Sequence, residues 1–150
     1  MQAITHAVDE WRVDIINMSF SLEREPAIVE RAIGHAASKR VLMFAAASNN
    51  KFNREVPIGF PACLGDRVIC INAHGGSNSP CEFSPSPEQG RANFALPGQG
   101  IPVTLPGGTV DVVQGTSCAT PIAAGIAALV LDFNTYIRAD AEGGLMKGKR

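Results

Sequence analysis

The stretch around Ser117 constrains this chain more than any other, because it joins a strand pattern, a tight turn and a buried helix. Residues 110–113 predict a short strand, and the apolar run at residues 122–131 predicts a helix that packs in a core. Gly115, which lies between them, allows a tight turn. The sequence therefore places Ser117 where a strand passes into a helix, and backbone N–H groups converge at such a helix start.

Two interpretations fit this stretch. In the first, Thr116 or Ser117 only caps the helix, and Pro121 occupies the first turn, where its missing N–H costs little. In the second, Ser117 is a nucleophile held at the helix start. The Gly-x-Ser-x-Gly elbow of the α/β-hydrolases does not apply, because the fifth position of the motif is Ala119 rather than glycine.

Composition narrows the class of protein. A chain of 150 residues, 45% hydrophobic and 18% charged, suits one soluble domain. The net charge of −1 argues against a nucleic-acid partner or a polybasic membrane contact. The run at 122–131 is too short and too rich in small residues to span a bilayer, so we predict no membrane partner. Residues 1–6 lack a signal-peptide pattern, which leaves the compartment open and favours an intracellular one.

The four cysteines do not define a disulfide pattern. Cys63, Cys70, Cys81 and Cys118 allow three pairings, among which the sequence does not choose. A metal site at Cys70, His74 and Cys81 would match no usual ligand spacing. We therefore expect free, buried thiols in a reducing compartment, and we predict no metal and no cofactor.

Strand and helix patterns alternate along the chain. Near-continuous apolar runs, typical of buried parallel strands, cover residues 13–20, 41–47 and 67–73, and shorter strands are predicted at 92–96 and near 81–83. Helical spacing covers residues 4–11 and 26–39. We predict an α/β fold, a mostly parallel sheet with helices on both faces. Residues 1–132 would form the domain, and residues 133–150 a polar, disordered tail.

Polar residues follow two of the predicted strands and mark a third turn. They lie at residues 19–21, at residues 48–50 and at Ser117. Binding and catalytic sites in parallel sheets gather at the carboxyl ends of the strands. We therefore expect these three segments to be neighbours in space.

The same segments carry a family resemblance. Residues 115–121 read Gly-Thr-Ser-Cys-Ala-Thr-Pro, which resembles the nucleophile motif Gly-Thr-Ser-x-Ala-x-Pro of the subtilisin-like serine proteases, the subtilases. Residues 16–20 (Ile-Asn-Met-Ser-Phe) resemble the family's Ile-Asn-Met-Ser-Leu, and residues 45–49 (Ala-Ala-Ala-Ser-Asn) its Ala-Ala-Ala-Gly-Asn. The likeness covers roughly residues 4–131. It implies a subtilisin-like fold and a serine-type endopeptidase that cleaves peptide or protein substrates through an acyl-enzyme.

The resemblance also implies residue roles. Ser117 would be the nucleophile and Asn49 the donor to the oxyanion. Two sets of residues would bind the substrate. One wall of the cleft would be formed by Ser19, Phe20 and Ser21. The pocket for the substrate residue preceding the cut would be formed by Ala46, Ala47 and Ser48. Ser48 departs from the family's glycine; its side chain either narrows or polarises the pocket, or lies outside it.

The family's Asp-[Ser/Thr]-Gly and His-Gly-Thr motifs are absent from this sequence. His6, His35 and His74 stand in other contexts, and we expect each to be solvated or hydrogen-bonded rather than a catalytic base. The resemblance thus implies the C-terminal half of a subtilase domain, incomplete at its N-terminus and inactive without the half that supplies Asp and His. The alternative is a non-catalytic, subtilase-like binding or regulatory module.

Overall fold

The computed structural model describes residues 2–53 and 55–147 and is built on a four-stranded sheet. All of its pairings are parallel, and its strands are neighbours in chain order: β1 (Ile15–Met18), β2 (Leu42–Ala46), β3 (Ile69–His74) and β4 (Asn93–Pro97). Each strand overlaps one of the predicted apolar runs. The prediction of a mostly parallel sheet is therefore confirmed.

Helices cover both faces of this sheet, as predicted. Helices α1 (Gln2–Asp9) and α2 (Ala27–Ser38) pack on each other. Strand β2 contributes to both faces, because successive side chains of a strand point to opposite sides. Met43 and Ala45 lie in the core that α2 covers, whereas Phe44 lies in a second core on the other face.

The first core contains most of the large buried side chains. Ile33 of α2, Met43 of β2 and Phe60 are at most 1% exposed, and Val68 joins them just before β3. Burying one such side chain stabilises a fold by about 1.5–3 kcal/mol. The helix predicted from the apolar spacing at residues 26–39 is therefore confirmed, and the apolar face of α2 covers the sheet.

The second core lies under helix α3 (Thr116–Lys147), which contacts all four strands of the sheet. Ala119 and Ala123 of α3 are buried there against Phe44 and Ile71. Alanine side chains let a helix approach a sheet closely. The small residues after Ser117 thus hold the start of α3 against the sheet.

The strand that feeds Ser117 does not belong to this sheet. Strand β6 (Val110–Val113) has the predicted bounds, but it pairs antiparallel with β5 (Ile101–Thr104) in a separate two-stranded hairpin. The sequence did not predict β5, because it is four residues long and contains Pro102, which disfavours a strand. Near residues 81–83 the predicted edge strand is reduced to one isolated bridge between His74 and Pro80.

Helix α3 is longer than predicted and continues past residue 132, where we predict that the domain ends. Residues 133–147 continue the helix instead of forming a tail, since they contain no proline and many strong helix formers; residues 148–150 lie outside the described residues. Pro121 accordingly lies inside the helix, beyond its first turn. By length and composition alone, residues 116–138 pass as one membrane-spanning helix, so the argument that the apolar run is too short for a bilayer no longer applies.

Candidate active site

Three polar segments meet at the carboxyl edge of the sheet. They are the loop after β1, the loop after β2 and the first turn of α3, which together line a pocket of about 350 Å³. A volume of this size lies at the lower end of the range for ligand sites. The expectation that these segments are neighbours is therefore met.

Ser117 is held by a turn that is tied to the sheet. The Gly115 N–H donates to the Gly98 carbonyl just after β4 at 2.8 Å, and the Cys118 N–H donates back to the Gly115 carbonyl at 3.0 Å. Ser117 follows as the second residue of α3 and is partly exposed. The turn therefore presents the Ser117 hydroxyl to the pocket while α3 fixes its backbone.

Asn49 caps this helix from across the site. Its side-chain Oδ1 accepts the Thr116 N–H at 2.8 Å and lies 3.1 Å from the Thr116 Oγ1. The first N–H of a helix has no partner inside the helix, so an outside acceptor stabilises it. The predicted cap by Thr116 or Ser117 is thus wrong, because residue 49 supplies that acceptor from a loop 67 positions away.

This cap also orients the other end of the Asn49 amide. With Oδ1 committed to Thr116, the Nδ2 group is directed toward the Ser117 turn. A Cβ atom built on Gly115 would lie 3.0 Å from Asn49 Nδ2 and 2.9 Å from Ser117 Oγ. The Ser117 hydroxyl and the Asn49 amide therefore both approach one point beside Gly115, which a side chain at position 115 would occupy. Gly115 also has a φ of 150°, a conformation that other residues rarely adopt.

Ser48, the departure from the family's glycine, turns its hydroxyl toward the loop beside it. Its Oγ donates to the Pro57 carbonyl at 2.8 Å and accepts the Asn50 N–H at 3.2 Å. The side chain is nearly buried, and the residue still forms part of the pocket lining. Both hydrogen bonds join the strand end to the segment between residues 50 and 57.

The remaining predicted substrate-binding residues divide into two groups. Ser19, Phe20, Ser21 and Ala46 line the pocket. Ala47 is not among the lining residues; its carbonyl accepts the Gly59 N–H at 2.8 Å and the Ser21 Oγ at 3.2 Å. Its contribution is to hold the pocket wall rather than to face the pocket.

Several lining residues were missed by sequence reasoning. They come from the loops after the two polar segments and include Leu22, Glu23, Asn50, Asn53, Val56 and Gly59. No short motif marks them, because the folding of the loop after β2 back toward the loop after β1 brings them together.

No base is bonded to Ser117 within residues 2–53 and 55–147. His35 Nε2 contacts Asp9 Oδ1 at 2.7 Å, but this pair joins α2 to α1, on the face opposite α3. His74 Nδ1 contacts the Gly75 carbonyl, and the His6 ring packs edge-on against Trp11. The three histidines are therefore engaged elsewhere.

All four cysteines are free, and two of them are chemically quiet. Burial, with a hydrogen bond to Glu25, raises the pKa of the Cys63 thiol to about 11. Burial, with a smaller contribution from the charge of Glu88, raises the pKa of the Cys70 thiol to about 12. Thiols with such values stay protonated at neutral pH and are poor nucleophiles. The described residues contain no group of three or more side chains suited to hold a metal ion.

A serine at a helix start, an amide donor beside it and a parallel sheet beneath them define the class of site found in serine hydrolases. Comparison with known families narrows this class: residues 1–147 match the family model described as the subtilase family. The chain belongs to the subtilase family.

Individual relatives agree with this assignment. The chain is 33% identical over 132 residues to an intracellular serine protease of Paenibacillus polymyxa, covering 87% of this chain and 39% of that protein. It is 34% identical over 127 residues to subtilisin E of Bacillus subtilis, covering 81% of this chain and 32% of that protein. The chain thus spans less than half the length of each of these two curated relatives.

Solved structures show the same fold. The prenylagaramide maturation protease PagA superimposes with a TM-score of 0.79 at 29% identity, covering 90% of this chain and 49% of that one. The PatG macrocyclase, solved in complex with a peptide, superimposes with a TM-score of 0.77 at 28% identity and covers 90% of this chain and 40% of the other. Both comparisons cover nearly the whole chain, so the subtilisin-like α/β fold extends over the site described above.

Proposed function

We propose that this chain carries the nucleophile and the oxyanion site of a serine-type endopeptidase. The observation that supports this most is that Ser117 Oγ and Asn49 Nδ2 both lie within 3.0 Å of one point, the position that a Cβ on Gly115 would occupy. A nucleophile and a hydrogen-bond donor must both reach one carbonyl group during acyl transfer, and this arrangement provides both. Family membership supports the same reaction class.

In the proposed reaction, Ser117 Oγ attacks the carbonyl carbon of a peptide bond. The carbonyl oxygen becomes an oxyanion that accepts hydrogen bonds from Asn49 Nδ2 and the Ser117 backbone N–H. The C–N bond then breaks, and the amine leaves with the proton that the serine gave up. Water attacks the resulting ester, releases the acid and restores the hydroxyl.

This reaction needs a base that takes the proton from Ser117, and the three histidines of the chain are engaged elsewhere. We propose that a further segment, corresponding to the N-terminal half of related domains, supplies an aspartate and a histidine. Among the residues that the structure describes, strand β1 lies at one edge of the sheet and pairs on one side only, with β2. An edge strand offers free backbone groups to a further strand, so this edge is where we propose that the segment adds.

A fluorophosphonate probe tests the proposal, because it forms a covalent bond only with an activated serine. We expect the protein, produced as its gene encodes it, to be labelled on Ser117 and to hydrolyse peptides. Ser117→Ala should abolish both. The matched control is Ser77→Ala, an exposed serine in the loop after β3 that we expect to leave both unchanged.

The outcomes separate the two functional hypotheses. Labelling that persists in Ser117→Ala would contradict the assignment of the nucleophile. An unlabelled wild-type protein that is folded by circular dichroism and still binds peptides would favour the non-catalytic binding module.

A further inference from the structure

The pocket beside Ser117 has a distinct electrostatic character. Among its described lining residues, Glu23 carries the only charge, and most of the others are serines and asparagines. The nearby Lys51 is not part of the lining; its Nζ lies 5.1 Å from the centre of the Phe52 ring. A carboxylate at the rim of a polar pocket attracts a cation.

The backbone next to Glu23 is firmly placed. The preceding residue, Leu22, exchanges two backbone hydrogen bonds with Phe60, at 2.7 and 2.8 Å. Phe60 is 1% exposed and belongs to the first core. The wall that carries Glu23 is therefore anchored to the core, although the Glu23 side chain itself is exposed.

Another part of the lining is fixed by Ser48, the serine that replaces the family's glycine. The two hydrogen bonds of Ser48 Oγ, to the Pro57 carbonyl and from the Asn50 N–H, hold the loop after β2 beside the pocket. Gly59 lets the loop after β1 pack closely against it, because a Cβ added there would meet the Ser21 side chain and lie 2.9 Å from the Leu22 carbonyl oxygen. The loops that line the pocket are thus tied to the rest of the fold on both sides of β2's end.

The lining combines two kinds of surface. Phe20, Ala46 and Val56 line it with apolar side chains, while Asn50 and Asn53 line it with amides and Glu23 with a carboxylate. A lysine or arginine side chain has the same two parts, an aliphatic stem and a charged head. An acidic side chain would instead meet the Glu23 carboxylate.

Resting on the proposed peptidase function, we propose that Glu23 makes this pocket select substrates with lysine or arginine at the position preceding the cut. Glu23 is here a specificity residue, distinct from Ser117 and Asn49, which act on the scissile bond. An exposed charge pair is weak, so we expect a preference of about 2- to 5-fold in kcat/KM for a lysine peptide over the glutamine peptide of the same sequence. Salt screens such a pair, so the preference should be smaller at about 0.5 M NaCl than at about 0.05 M NaCl.

The experiment uses the protein as its gene encodes it and three peptides that differ only in lysine, glutamine or glutamate before the cut. Glu23→Gln should bring the lysine-to-glutamine ratio close to one, and Glu23→Lys should favour the glutamate peptide. The matched control is Glu10→Gln, which removes an exposed carboxylate just after α1 and should leave all ratios unchanged.

A second measurement covers a protein that binds peptides without cleaving them. Three peptides with the same sequences, each ending at the variable residue with a free carboxylate, are titrated into isotope-labelled protein. Binding is followed by the shifts of the protein's NMR signals. We expect the Asn49 and Ser117 signals to shift, with the lysine peptide binding most tightly.

The two proposals fail in different ways. Peptides that are cleaved or bound with ratios that Glu23→Gln and Glu23→Lys leave unchanged would overturn the role of Glu23 and leave the peptidase proposal standing. Peptides that are neither cleaved nor bound at Ser117 would overturn both.

Discussion

The two ends of the Asn49 amide have separate tasks, which two substitutions can tell apart. Oδ1 accepts the Thr116 N–H at 2.8 Å and so caps α3, whereas Nδ2 faces the space beside Ser117 Oγ. Asn49→Asp keeps an acceptor at the helix start and removes the donor. Asn49→Ala removes both. Stability and activity should therefore respond differently to the two changes.

The expected effect on stability follows from the cap. Loss of a side-chain cap costs about 0.5–2 kcal/mol, so Asn49→Ala should lower the free energy of unfolding by that amount. In Asn49→Asp the acceptor remains and its negative charge faces the positive end of α3, an interaction of about 0.3–1 kcal/mol. Asn49→Asp should therefore be at least as stable as the wild type in urea unfolding followed by circular dichroism.

The expected effect on turnover follows from the donor. Removing the corresponding asparagine of subtilisin costs about 10²–10³ in kcat, a magnitude taken over from that relative rather than worked out from this structure. Both Asn49→Ala and Asn49→Asp should lose at least this much peptide hydrolysis, and the aspartate adds repulsion of the oxyanion. Asn78→Asp, which places the same charge on an exposed asparagine in the loop after β3 that does not line this pocket, is the matched control.

Two results would refute this reasoning. If Asn49→Asp is destabilised as much as Asn49→Ala, then Oδ1 is not the cap of α3. If Asn49→Asp is stable and retains hydrolysis within a few-fold of the wild type, then Nδ2 is not the oxyanion donor.

Two further predictions concern the body of the fold. Ile71→Ala, at a fully buried site in the core under α3, should cost about 2–5 kcal/mol in urea unfolding, and an effect under 1 kcal/mol would show that this core is loosely packed. Burial raises the pKa of the Cys70 thiol from 9.0 to about 12. The buried neutral thiol therefore contributes fully to the stability of the fold below pH 9, and this contribution is lost as the pH rises toward 12. The free energy of unfolding should therefore fall by about 1.4 kcal/mol per pH unit from this thiol in that window. Cys70→Ala should flatten the fall, and an unchanged slope would contradict the assignment.

Much of the sheet and of α2 could be predicted because their signals are local. The run at 41–47 is apolar on both sides of the strand, which fits β2 with a core on each face. The spacing of apolar residues at 26–39 likewise fits the buried face of α2. The three site segments could be expected to meet, since parallel strands end at one edge of a sheet.

The misses depend on contacts between distant residues. The cap of α3 could not be found near Thr116, because the acceptor is the side chain of residue 49. Strand β5 forms by pairing with β6, and its proline is a residue that disfavours strands, so the sequence pattern does not indicate a strand there. Glu23 and Gly59 carry no motif and reach the pocket only because the loops after β1 and β2 fold together.

The cap that joins Asn49 to Thr116 links residues 67 positions apart, and this has a consequence for the order of events during folding. Contacts of such long sequence separation close late, because a large loop of chain must first be ordered. Until then Ser117 does not have the Asn49 amide beside it. A nascent or partly unfolded copy would therefore lack the proposed oxyanion site, and so would a folded copy in which the loop after β2 detaches from α3.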